Sequence, residues 1–95
     1  MPKGYWIALV DVKDGQAYDA YRREVGPFLQ AQKARFLVRG GKREVKEGAL
    51  RERTIVIEFE DYAAALACYE SDEYSRIRAL RERAAIVDLM VVEGV

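Results

Sequence analysis

The segment Tyr5–Val12, YWIALVDV, is apolar on both of the faces that a β-strand presents. Alternate side chains of a strand point to opposite sides. Tyr5, Ile7 and Leu9 therefore share one face, and Trp6, Ala8, Val10 and Val12 the other. The closing segment Ile86–Glu93, IVDLMVVE, behaves alike, with Val87, Leu89 and Val91 opposing Met90 and Val92. A sheet with one solvated face alternates apolar and polar residues. These strands need cover on both sides, and that requirement constrains what lies between them.

Two further strands are expected at Arg35–Val38 (RFLV) and Thr54–Phe59 (TIVIEF). Asp14-Gly15 breaks the first strand, with Asp14 placed to cap a helix. Along 16–32, Ala17, Tyr21, Val25, Phe28 and Leu29 recur at helical spacing. Gly26-Pro27 lies inside that stripe, and the missing backbone donor of proline predicts a kink or a restart. Asp61 is placed to cap an alanine-rich helix that turns Leu66 and Tyr69 inward. Ser71-Asp72-Glu73 forms a second helix start, its carboxylates suited to the positive end of the helix dipole. Tyr74, Ile77, Leu80 and Ala84 form the stripe that follows. The charged ribbon Lys42–Arg53, KREVKEGALRER, reads as an extended hairpin turning near Gly48, or as an arm reaching across a dimer.

The order βαββαβ predicts a single α+β domain over residues 1–95. Its fold is ferredoxin-like, a four-stranded antiparallel sheet with the helices on one face. The other face needs a cover, and a second copy's sheet is the simplest one, giving a homodimer through the sheet face.

Sixteen basic residues balance sixteen acidic ones. That argues against nucleic acid and anionic membranes as partners. No apolar run approaches the roughly 20 residues of a membrane helix, and the N-terminus lacks a signal-peptide pattern. With one cysteine no intrachain disulfide forms, and the cytoplasm is the expected location. The chain has no histidine. This removes Ser-His and Cys-His nucleophilic pairs, the usual haem ligand and the commonest metal ligand. No metal site and no cofactor is expected. Chemistry here must use carboxylates, tyrosines, arginines or backbone groups.

Several segments together, GYWIALVDV, RFLVRGG, Glu47-Gly48, TIVIEF, ACYESDEY, Arg81 and VVEG, resemble the bacterial domain-of-unknown-function 1330 family over nearly the whole chain. The chain departs from that pattern at Lys33-Ala34, where a Gly-Gly is common, and at Asp72, where proline is common. The resemblance implies a dimeric α+β barrel, in which ferredoxin-like subunits pair sheet against sheet. The wider group includes cofactor-free monooxygenases, isomerases, haem enzymes and plain ligand-binding modules, so fold kinship does not choose a function.

The candidate catalytic residues are Arg39, Glu58 and Asp11. Arg39 ends the second strand before Gly40 and Gly41, where a guanidinium beside bare amides suits a carboxylate or enolate oxygen. A strand-end arginine paired with a neighbouring glutamate is the plainer alternative. Glu58 interrupts an apolar strand; unpaired, it would have a raised pKa suited to proton transfer, and paired, it is structural. Asp11 ends the first strand, where it either projects toward a cleft or accepts bonds from the following turn. Tyr18, Tyr21, Tyr69 and Tyr74 lie on helical faces able to look into a helix–sheet cleft, or to serve as core. Arg81 lies seven residues after Tyr74, on the same helix face, where a salt bridge to Glu73, Glu82 or a partner subunit is the alternative to a binding role. Together with Gly40 and Gly41, these four tyrosines and Arg81 make up the candidate binding set. Cys68 reads as a small buried residue.

Two functions fit this pattern. One is a metal- and haem-free enzyme acting on a small oxygenated organic acid, phenol or enol. The other is a non-catalytic module that binds a small molecule or another protein.

Overall fold

The computed structural model describes residues 2–95. Its elements are β1 (Gly4–Val12), α1 (Gly15–Ala31), β2 (Arg35–Arg39), β3 (Arg53–Phe59), α2 (Tyr62–Tyr69), α3 (Asp72–Arg78) and β4 (Ala85–Glu93). A single 3-10 turn, Ala79–Arg81, follows α3. The four strands form one antiparallel sheet in the order β2-β3-β1-β4. The shortest dimension of the molecule is 17 Å, which leaves room for one helical layer on one side of the sheet.

Helix boundaries follow local chemistry. Asp14, Asp61 and Ser71 each accept a hydrogen bond from the backbone N–H three residues on, satisfying a donor that the first turn leaves open. The helix α1 runs unbroken through Pro27, so no restart occurs there. The expected hairpin at Lys42–Arg53 does not form. Only Arg53 joins a strand, residues 41–50 are all exposed, and the ladder between β2 and β3 ends at Arg39 and Ile55. Glycines at 40, 41 and 48 and a run of mixed charges offer no apolar face that pairing would bury.

The core lies between the helices and the face of β1 that carries Trp6, Ala8 and Val10, all buried. Trp6 is central: its indole N–H donates to the Ala65 carbonyl at 2.8 Å, and its ring meets Phe59, Tyr69 and Tyr74. In α2 the fully buried residues are Ala65 and Cys68, with Leu66 and Tyr69 half-buried. After α3, Leu80 is exposed and Arg81 is buried instead. Seven residues make nearly two whole helical turns, so Arg81 rather than Leu80 returns to the Tyr74 face. Burial and the neighbouring Glu73 charge push the Cys68 thiol up to about 11, which leaves it an unreactive core residue.

Among the described residues, no layer covers the opposite face of the sheet. Register places Val38, Val56, Ile7 and Met90 in one row across it, and Asp11 and Ile86 in another. Met90, Val38 and Ile86 are exposed there.

Candidate functional site

Strand pairing sets out the floor of a cleft beneath α1. On the helix side of the sheet, Phe36, Ile57, Trp6 and Val91 form one row across the strands. Arg39, Ile55, Ala8 and Leu89 form the next, and Arg53, Val10 and Val87 the one after. Ala8 is the small member of the middle row, and the floor dips there. Tyr18, Tyr21, Arg22, Val25, Gly26 and Leu29 of α1 supply the roof, and Arg81 closes one side. The cleft has a volume of about 70 Å³, several times what one ordered water occupies.

Cations are concentrated at one end. Arg53 and Arg81 reach the cleft beside Tyr18, whose hydroxyl lies within the fields of Arg53, Arg81 and Arg22. Arg39 stacks on the Phe36 ring with its guanidinium carbon 3.6 Å from the centroid. Gly40 holds a φ of +65°, a region that favours glycine. A side chain at Gly40 would come within 2.6 Å of the Arg53 guanidinium, so the bare backbone makes room for it. Gly41 makes no comparable approach.

None of these charges is neutralised in place, except one. Arg22 pairs with Asp19 at 2.9 Å. Among the described residues, no carboxylate lines the cleft, and none forms an ion pair with Arg39, Arg53 or Arg81. The Nε of Arg53 is buried without a hydrogen-bond partner. Arg81 is only 8% exposed, and its contact to the Tyr74 hydroxyl is long at 3.4 Å. Burying a charge without a counter-charge is costly, so a site built this way suits an incoming anion.

Two of the phenols pair beside Arg81. Tyr21 and Tyr74 share a hydrogen bond of 2.8 Å, and the Tyr21 ring lies 5.4 Å from the Arg81 guanidinium. Burial, reinforced by Tyr74, pushes the Tyr21 pKa far up, with Arg81 opposing. Burial also raises Tyr18, against the pull of Arg53, Arg81 and Arg22. Both remain neutral phenols at physiological pH, able to give a hydrogen bond but not to act as bases.

The candidate residues divide by face. Arg39, Tyr18, Tyr21 and Arg81 meet in the cleft, with Gly40 behind Arg53. Tyr74 lies one layer deeper and is fully buried, touching the cleft-lining Tyr21, Arg81 and Trp6. Tyr69 packs on Trp6, and its hydroxyl accepts from Arg78 at 2.8 Å, away from the cleft. Glu58 and Asp11 stand on the opposite face of the sheet. Glu58 accepts from both cross-strand neighbours, Arg35 at 2.9 Å and Tyr5 at 3.1 Å. Burial raises its pKa, but the bonds from Arg35 and Tyr5 outweigh that and hold it below the ordinary value. Asp11 accepts from the Glu52 backbone and from Arg51, and its pKa is lowered by that backbone bond first and by Arg51 next. Arg51 continues to Asp88, bridging the two carboxylates.

Two cleft residues escaped the reading from sequence, Arg22 and Arg53. Arg53 looks like part of the charged ribbon, yet it stands two residues before Ile55 and four before Ile57. Strand periodicity thus places it on their face. Arg22 follows Tyr18 by one helical turn, in the same stripe.

No curated protein matches the chain significantly. Among solved structures it is similar to a protein of unknown function from Rhodopseudomonas palustris, at 17% identity and a TM-score of 0.75. That match covers 99% of this chain and 83% of the other. The methylated form of that protein matches alike, with a TM-score of 0.76. An ethyl tert-butyl ether D (EthD) family protein from Bacillus halodurans matches with a TM-score of 0.58 at 14% identity, both chains being covered in full. At such identities the likeness shows the fold alone. Family membership comes from the sequence, for the model of the Domain of unknown function (DUF1330) matches residues 3–95, and the chain belongs to that family.

Proposed function

We propose that the protein binds a small organic anion in the cleft between α1 and the sheet, as a ferredoxin-like subunit paired sheet to sheet with a second copy. One observation carries the binding reading: the buried Arg81 and half-buried Arg53 bring positive charge to a cleft that no carboxylate lines among the described residues. The uncovered row of Val38, Val56, Ile7 and Met90 supports pairing, since an apolar strip of this kind is an association surface.

Thermal unfolding of the full chain in the presence of organic acids, each beside its neutral amide, tests the binding reading. Acids should raise the melting temperature and amides should not; equal effects would sink the reading. Light scattering behind a sizing column tests the pairing, with twice the monomer mass expected to persist on dilution.

Catalysis is the second reading, and the Tyr21–Tyr74–Arg81 chain favours it. Arg81 and Arg53 would stabilise charge developing on an enolate or carboxylate oxygen, and Tyr18 or Tyr21 would donate to it. Asp11 and Glu58 take no part, being on the far face and paired. A cleft without a carboxylate lacks a general base, so binding is the reading the geometry supports better.

A further inference from the structure

We infer that the bound anion is a monocarboxylate carried on a compact apolar body, such as a single ring or a short branched chain. The inference rests on the anion-binding reading above and names its ligand class.

Three features of the cleft converge on that class. First, the charge is polarised along one axis. The row carrying Arg53 lies toward Arg81 and Tyr18, whereas the row at the other end is Phe36, Ile57, Trp6 and Val91, whose nearest cation is the exposed Arg39 stacked on Phe36 at the rim. A ligand with one charged end and one apolar end matches both. Second, the donors at the cationic end are guanidinium groups and phenols. A guanidinium fork meets the two oxygens of a carboxylate in one plane. Phosphate cradles instead draw on backbone N–H groups at helix starts and glycine loops. Here the start of α1 is occupied by its own cap, Asp14. Third, the space beside the charges is a slot with small residues on both sides. Ala8 lies between Ile55 and Leu89 in the floor, and Gly26 lies in the roof, where an added Cβ would meet nothing within 4 Å. A second negative charge in that slot would be buried among aliphatic side chains, with only Arg39 at the rim to meet it.

Calorimetry on the full-length protein with benzoate, benzamide, acetate, succinate and inorganic phosphate tests this assignment. Benzoate should bind at least about tenfold more tightly than each of the others. The variant Ala8→Val narrows the slot without touching the arginines. It should weaken benzoate by about tenfold or more and leave acetate within about twofold. Should Ala8→Val fail to fold, Gly26→Leu makes the same test from the roof, since leucine favours a helix over glycine. Succinate or phosphate binding more tightly than benzoate would overturn the monocarboxylate assignment and leave the anion reading standing. Benzamide binding as tightly as benzoate, or no binding by any of the anions, would overturn both.

Discussion

Replacing Arg81 by methionine should make the empty protein more stable and the anion-responsive protein disappear. Methionine keeps an unbranched apolar stem of similar length, so most of the packing against α1 survives. What is lost is the contact to the Tyr74 hydroxyl, which at 3.4 Å lies beyond the normal hydrogen-bond range, and the cation–π contact with the Tyr21 ring at 5.4 Å, together worth no more than about 2–3 kcal/mol. Tyr74 keeps its bond to Tyr21. What is relieved is the desolvation of the guanidinium of Arg81, a residue only 8% exposed and without a carboxylate partner among the described residues, an effect of several kcal/mol for a buried ion. The balance is a gain of about 1–2 kcal/mol. For a domain of this size each kcal/mol raises the melting temperature by roughly 4–8 °C. Thermal unfolding should be followed by circular dichroism at one fixed protein concentration, because the proposed pairing would make the melting temperature depend on concentration. Arg81→Met should melt higher than the parent without ligand, and benzoate should no longer shift it. A variant that melts lower than the parent and still responds to benzoate would refute the reasoning and mark Arg81 as a structural residue.

Gly40→Ala places a side chain at a φ of +65° and against the Arg53 guanidinium. It should cost about 1–2 kcal/mol in urea unfolding and weaken anion binding, because Arg53 must move. Asp11 and Glu58 both have lowered carboxyl pKa values. Their stabilising effect is therefore complete above the ordinary carboxylate range and is lost as pH falls through the lowered values. Melting curves from neutral pH down to about 3 should show a flatter acid limb for Asp11→Asn and Glu58→Gln, with benzoate binding unchanged, since both lie across the sheet from the cleft. Met90→Lys sets a charge in the apolar row of the open sheet face and should weaken self-association at least about tenfold, read by light scattering on dilution. An unchanged mass would show that the pairing uses another surface.

The strands and caps were legible in the sequence because single residues decide them. Asp14, Asp61 and Ser71 accept the bonds their side chains predict, and the alternation along β1 separates Trp6, Ala8 and Val10 from Tyr5, Ile7 and Leu9 as periodicity requires. The ribbon Lys42–Arg53 was misread because alternating charge imitates a solvated strand, while nothing in it has a face to bury. The site was half legible. Helical spacing puts Tyr18 and Tyr21 on one stripe of α1, and the turn after α3 brings Arg81 to the same cleft. Asp11 and Glu58 were harder, because sheet parity fixes their face only once one knows which face the helices cover. Glu58 occupies the face of Tyr5 and not that of Ile57, and that one-residue offset places it across the sheet from the arginines.

The sheet also separates charge. Arg39, Arg53 and Arg81 stand on its helix side without ion pairs among the described residues, while Asp11, Glu58 and Asp88 stand on the other, paired with Arg35 and Arg51 and within the fields of Arg43 and Lys3. A formal net charge of zero therefore conceals a local cluster of positive charge at the cleft. On the proposed binding reading, a small anion diffusing past the molecule should be turned toward the cleft mouth before it touches anything, so capture should be faster than the overall charge suggests. Added salt should act on the rate of arrival more than on the rate of departure, because the approach is through water and the bound carboxylate is shielded from it.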